Sequence, residues 1–133
     1  MVKNMESEII YKELSYIING LLFQVHNDLG RYCNEKQVCD KIEFYLKTNK
    51  LQYKREFILP PSFVGEKDGR NRIDFLIDDK IILEIKCKRF LVKDDYFQTQ
   101  RYLHALNKKL GILVNFRDER LKPRRVLNSS SHS

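Results

Sequence analysis

The sequence predicts an α/β domain in which a central mixed β-sheet is flanked by helices, in the order α-α-β-β-β-α-β. Three observations predict it. Two early segments carry apolar residues at helical spacing. Three short β-rich runs bounded by turn residues follow. A further helical stretch then precedes a short apolar run of the length of a buried strand.

The first helix is expected over about 6–29. Ile9, Ile10, Leu14, Ile17, Ile18, Leu21, Leu22, Val25 and Leu29 recur at its spacing, and Gly30 is a C-cap candidate. A second helix is expected over about 34–49. Asn34 is its N-cap candidate, and Val38, Ile42, Tyr45 and Leu46 form one apolar stripe. Residues 53–59 read as a strand stopped by Pro60 and Pro61, and residues 64–71 as a polar, glycine-containing turn. The runs 73–77 and 81–85 meet at Asp78, Asp79 and Lys80, which is a hairpin signal. A third helix is expected over about 93–108, with Asp94 or Asp95 near its start, and a buried strand over 111–116. Leu121 and Val126–Leu127 offer an edge strand. The tail, about 128–133, reads as disordered.

With 133 residues the chain fits one domain. A hydrophobic fraction of 42% excludes a disordered chain, and 32% charged residues make it a soluble one. No segment approaches the roughly 20 apolar residues that span a bilayer. No secretory apolar core follows the first residues, because Tyr11, Lys12 and Glu13 interrupt it. Three cysteines, Cys33, Cys39 and Cys87, have no paired spacing. They read as buried thiols in a reducing, cytoplasmic setting rather than as a disulfide or zinc framework. The formal net charge is +7, from 25 Lys+Arg against 18 Asp+Glu. A small basic domain suits a polyanion such as nucleic acid, the alternative being ordinary solubilising charge.

The candidate chemistry sits in the hairpin. Asp74 lies in its first strand. Glu84 and Lys86, two apart in the second, point from one face, whereas Leu83 and Ile85 point from the other. Acids and a lysine in otherwise apolar strands are costly to bury unless paired or bound to a metal. For phosphodiester hydrolysis, Asp74 and Glu84 would be ligands of Mg²⁺ or Mn²⁺, with the Ile85 carbonyl as a third. Lys86 would lie beside the attacking water or the scissile phosphate. The alternative is a surface ion pair between Lys86 and one of the acids. On the third helix, Gln98 and Tyr102 are four residues apart and share a face. They would present an amide and a phenol to a nucleic-acid backbone or base; a solvated Gln98 and a half-buried core Tyr102 are the alternatives. Arg72, two residues before Asp74 on the same strand face, reads as pairing with an acid or facing the substrate; Lys88 and Arg89, just past Lys86, read as phosphate contacts or equally as solvated charge. His26 lies on an apolar helix face and reads as a core or capping histidine.

Asp74, Glu84-Ile85-Lys86 and Gln98-x-x-x-Tyr102 together resemble the PD-(D/E)XK nuclease superfamily, in its RecB-like and lambda-exonuclease-like branch. Over residues 13–127 the chain is similar to the small bacterial GxxExxY family. It carries Leu14-Ser15-Tyr16-Ile17-Ile18-Asn19-Gly20, Val25-His26-Asn27-Asp28-Leu29-Gly30, Tyr102-Leu103 and Gly111-Ile112-Leu113-Val114-Asn115-Phe116. It departs at the motif that names the family: Tyr32, Glu35 and Val38 stand where glycine, glutamate and tyrosine are usual, and Ile73 stands where proline often precedes the first acid. The resemblance implies a restriction-endonuclease-like fold and a Mg²⁺-dependent deoxyribonuclease, exonuclease or endonuclease. It adds Glu35 to the metal ligands, a residue that reads equally as a solvated helix glutamate. By analogy of fold it also implies a homodimer for duplex cleavage. A nucleic-acid-binding module without catalysis, or a repair or toxin–antitoxin complex subunit of the same fold, is the other class of function.

Overall fold

The computed structural model describes residues 9–129. Two helices come first, α1 (Lys12–Leu29) and α2 (Glu35–Thr48). Three strands follow, β1 (Tyr53–Ile58), β2 (Arg72–Ile77) and β3 (Ile81–Lys86). The chain then forms α3 (Lys93–Leu106), β4 (Leu110–Asn115) and a short β5 (Arg124–Leu127). The sheet has five strands in the order β1-β2-β3-β4-β5. The β3–β4 pair is parallel, as its helical crossover α3 demands, and the other pairs are antiparallel.

Alternation along the strands creates two cores. Ile77, Ile81, Leu83 and Ile85 face α1 and α2, where they meet Ile18, Leu22, Val38 and Ile42. Leu76, Ile82, Leu113 and Val126 face Tyr102 and Leu103 of α3. Helices therefore cover both faces, and the central strands read as near-continuous apolar runs.

Local chemistry explains the joints. Asn34 caps α2: its side chain accepts from the Gln37 N–H while the Gln37 side chain accepts from the Asn34 N–H. Gly30, at φ 75, closes α1 by donating its N–H to the His26 carbonyl. Asp78 and Asp79 adopt φ 53 and 54 in the β2–β3 turn, a conformation that short polar side chains tolerate. Tyr53 donates to Glu43 at 2.6 Å, and Arg55 donates to Glu43 and Asp40 at 2.9 and 2.8 Å. These contacts pin α2 along β1 and so set where the start of α2 lies over the sheet.

Several boundaries differ from expectation. The first helix begins at Lys12, after a turn in which Tyr11 has φ 51. The Ile10 carbonyl there accepts from Arg125 at 2.7 Å, so this backbone is tied to β5 instead of to another helical turn. Residues 6–8 of the expected helix lie outside the described residues. The third helix stops at Leu106 because Asn107 turns left-handed at φ 54. Leu121 is buried but lies outside β5. The start of the expected disordered tail is ordered: the buried Asn128 donates its N–H to the Lys109 carbonyl and its amide to the Lys108 carbonyl. Ser129 donates to Gln100. Residues 130–133 lie outside the described residues. No helix among the described residues is long and apolar enough to cross a membrane.

Candidate active site

Strands β2 and β3 part at the acids. Their ladder runs Ile77↔Ile81, Leu76↔Ile82 and Phe75↔Leu83, and stops there. Where the next backbone bonds belong, two carboxylates take over. The Asp74 N–H donates to Glu84 Oε2 at 2.9 Å, and the Ile85 N–H donates to Asp74 Oδ2 at 2.7 Å. The other oxygens, Asp74 Oδ1 and Glu84 Oε1, accept no hydrogen bond among the described residues.

A kink accompanies the fork. Phe75 packs on the α1–α2 side, but Ile73, two residues earlier, packs on the α3 side. A regular strand would place both on one face. Across from Asp74 in the β1–β2 register stands Glu56, at φ 54. The two strands thus turn together at Glu56 and Asp74, and the turn directs the Asp74 carboxylate toward the Ile85 N–H. The site lies at a fork between inner strands, not at an edge of the sheet.

Glu84 and Lys86 share the face toward α3, as their spacing requires. Glu84 is 3% exposed. Lys86 Nζ donates to Gln98 Oε1 at 3.0 Å and lies 3.9 Å from Asp95 Oδ1. Among the described residues Lys86 forms no ion pair with Asp74 or Glu84, so the expected alternative of a surface ion pair is not what the strands contain. Asp95 is buried and accepts both from Lys88 Nζ, at 3.0 and 3.1 Å, and from the Val92 N–H at 2.8 Å. One carboxylate therefore caps α3 and anchors two lysines. Tyr102, on the same helix face as Gln98, is buried in the core near Glu84, and its oxygen meets the Arg72 backbone.

From the other side, Glu35 at the start of α2 borders a cleft of about 280 Å³ with Asp74, Glu56 and Arg72. Arg72 pairs with Glu56 at 3.3 Å, both half-exposed. A larger hollow of about 690 Å³ lies between α3 and Pro60–Pro61 and contains none of these acids.

The electrostatics follow from burial. Desolvation pushes the Asp74 carboxyl up to about 6; the Ile85 N–H opposes this and the Glu35 charge adds to it. Desolvation, then the charge of Asp74, pushes Glu84 up to about 8. The two titrate as a pair, and both carboxyls hold their protons more tightly than free ones. A cation between them would relieve the cost of ionising both.

The family model for the PD-(D/E)XK nuclease superfamily matches residues 12–126. The chain belongs to the PD-(D/E)XK nuclease superfamily. The mixed sheet flanked by helices is consistent with that fold, and superfamily membership suggests nuclease activity and nucleic-acid binding. Among curated proteins none matches the chain significantly. A solved structure titled "Crystal structure of SSO0001" is similar at 20% identity and a TM-score of 0.49; the match covers 83% of this chain and 65% of that one.

Within this PD-(D/E)XK domain the fork brings Asp74, Glu84 and Ile85 together, with Lys86 following on β3 and Gln98 holding it. Glu35 and Arg72 reach the cleft. Lys88 and Tyr102 are engaged by Asp95 and by the core. Among the described residues no set of three or more His, Cys, Asp or Glu side chains is gathered for a metal. Cys33, Cys39 and Cys87 are free thiols. His26 is structural: Nε2 meets the Asp118 carbonyl at 3.0 Å and the ring packs on Phe116.

Sequence reasoning missed two residues. Asp95 carried a signal only as a helix-start acid, and its grip on the lysines needed the fold. Asn115 sits at the end of β4; its side chain accepts from the Lys88 N–H at 3.0 Å and donates to the Lys88 carbonyl at 2.7 Å. It thereby continues the β3–β4 pairing past Lys86 with a side chain, which no spacing rule announces.

Proposed function

We propose that the chain is a divalent-metal-dependent deoxyribonuclease, with Asp74 and Glu84 as metal ligands and Lys86 as the catalytic cation. One observation carries this reading: the buried Glu84 carboxylate and the partly buried Asp74 carboxylate share the β2–β3 fork, each oriented by a backbone N–H and each with an oxygen to spare. That donor set fits a hard cation. Magnesium commonly takes one or two carboxylates and keeps several waters, so it needs no cage of three acids. Bound Mg²⁺ or Mn²⁺ would supply charge to the scissile phosphate and acidify a water.

The chain's own residues do the rest. Asp74 Oδ1 and Glu84 Oε1 would ligate, joined by the Ile85 carbonyl, with Glu35 a further acid from the cleft side. The ammonium of Lys86 stands beside the phosphate or its attacking water and stabilises the charge that develops there. Gln98 and Asp95 hold that ammonium in place. Arg72 and Lys88 serve as phosphate contacts, and Tyr102 supports α3 from the core. The position of Glu35 on the cleft supports the finer placement in the GxxExxY family, despite Tyr32 and Val38.

The test is cleavage of supercoiled plasmid and linear DNA by purified protein with Mg²⁺. Wild-type protein is expected to nick or degrade DNA, and Glu84→Ala and Lys86→Ala to lose roughly 100-fold or more. Activity surviving in both variants would remove the reading. DNA binding with no metal-dependent cleavage would favour a binding module built on the same fold.

A further inference from the structure

The loop joining α1 to α2 carries an aromatic ring that the core does not use. Tyr32 is 75% exposed. The guanidinium of Arg31 lies 5.2 Å from its ring centroid, and that of Arg117, on the β4–β5 connection, lies 5.4 Å away. Arg31 Nε–H donates to the Arg117 carbonyl at 2.9 Å, which ties the two loops together. Neither guanidinium has a carboxylate partner among the described residues.

This cluster is tied through Asn115 to the segment that follows β3. Asn115 accepts from the Arg117 N–H at 3.2 Å and from the Lys88 N–H at 3.0 Å, binding the loop to the segment just past Lys86. Cys87, next to Lys86, lies within electrostatic reach of Arg117, Cys33, Glu35 and Asp74. A second pair of the same kind follows: the Arg89 guanidinium is 5.5 Å from the ring of Phe90, which is 68% exposed.

Exposed rings flanked by unpaired guanidiniums suit one class of ligand. A nucleobase stacks on such a ring or on the guanidinium plane lying over it, and the cations take the phosphates on either side of it. In a duplex the faces of the bases are covered by their neighbours, so only an unpaired nucleotide can stack there. We infer that Tyr32, with Arg31 and Arg117, is a base-stacking subsite for an unpaired nucleotide of the strand that enters the Asp74–Glu84 fork. The substrate class is accordingly single-stranded DNA or duplex with an unpaired end. The link to the fork rests on the nuclease reading; the stacking contact itself does not.

The experiment is fluorescence anisotropy in EDTA, so that binding is read without cleavage. The probes are a labelled oligothymidylate and a blunt duplex of equal length. Tyr32→Ala is expected to weaken single-strand binding about ten-fold or more and to leave duplex binding unchanged. Tyr32→Phe, which keeps the ring, is expected to retain the affinity. Arg31→Ala is expected to lower the slope of log affinity against log salt by about 1. Single-strand binding unaffected by Tyr32→Ala, or single strand and duplex weakened alike, would overturn the inference. Failure of the nuclease reading would register separately, as no metal-dependent cleavage by wild-type protein, with the anisotropy difference intact.

Discussion

The Glu84 carboxylate stands in for the missing strand partner of Asp74, and the Asp74 carboxylate for that of Ile85. The Asp74 N–H donates to the Glu84 carboxylate at 2.9 Å, and the Asp74 carboxylate accepts from the Ile85 N–H at 2.7 Å. The same carboxylates that keep the backbone satisfied at the fork are thus held side by side, Glu84 buried and Asp74 partly so. Folding tolerates this arrangement and does not favour it, which is the usual relation between stability and a functional site.

Glu84→Gln keeps an oxygen to accept from Asp74 and removes the buried charge. It is expected to stabilise the metal-free protein at pH 8 by on the order of 1–3 kcal/mol while abolishing cleavage. Urea denaturation in EDTA measures the first effect, and the plasmid assay the second. A loss of stability would mean that the carboxylate is paired in the native state.

The pH dependence has a definite sign. In the unfolded chain these carboxyls ionise near ~4. In the folded chain they are raised to about 6 and about 8. The folded state therefore binds protons more tightly. The stability linked to these protons is fully present below about pH 4 and is lost as pH rises through the folded values. Between those limits the pair is expected to make the metal-free protein progressively less stable, and Glu84→Gln is expected to flatten that fall. Because a bound cation needs both groups ionised, Mg²⁺ binding near neutral pH should release about one proton. Calorimetry in two buffers of different ionisation enthalpy reads this release, which should vanish at high pH.

Lys86 and Gln98 should separate in their effects. Lys86 carries the charge, so Lys86→Ala is expected to cost roughly 100-fold or more in single-turnover rate. Gln98 only orients it, through the 3.0 Å bond to its amide oxygen, so Gln98→Ala is expected to cost roughly 10-fold. A Gln98 effect as large as that of Lys86 would place the amide itself on the substrate.

Gly111 sets how closely α3 approaches the sheet. A Cβ there would lie 2.8 Å from Thr99 Cγ2. Gly111→Ala is expected to destabilise the protein by about 1–3 kcal/mol through overpacking and to lower activity by displacing Asp95 and Gln98. Thr99→Ser removes the offending methyl and keeps the hydroxyl that donates to the Asp95 carbonyl at 3.0 Å. The double variant should recover most of the loss, and a double-mutant cycle by urea denaturation measures the recovery.

Much of this fold was legible in residue order, because its signals are local. Asn34 and Gly30 mark helix ends by their own chemistry, and the alternation through Ile81–Lys86 reveals which side chains share a face. Glu84 and Lys86 could be paired on that basis. Asp74 could not be located so simply: its position depends on a kink shared with Glu56, on another strand, and alternation alone does not predict it. The hold of Asp95 on Lys88 and the bridging by Asn115 join segments far apart in sequence, so they appear only once the sheet is assembled. The exposure of Tyr32 is likewise a property of the finished surface.

The nuclease reading requires Asp74 and Glu84 to share one divalent cation. Anomalous diffraction from crystals soaked in Mn²⁺ tests it most directly. A single strong peak is expected between the two carboxylates, with metal–oxygen distances of roughly 2.1 Å, and it is expected to be lost in Glu84→Gln. A peak elsewhere, or none at the fork while the protein cleaves DNA with Mn²⁺, would contradict it.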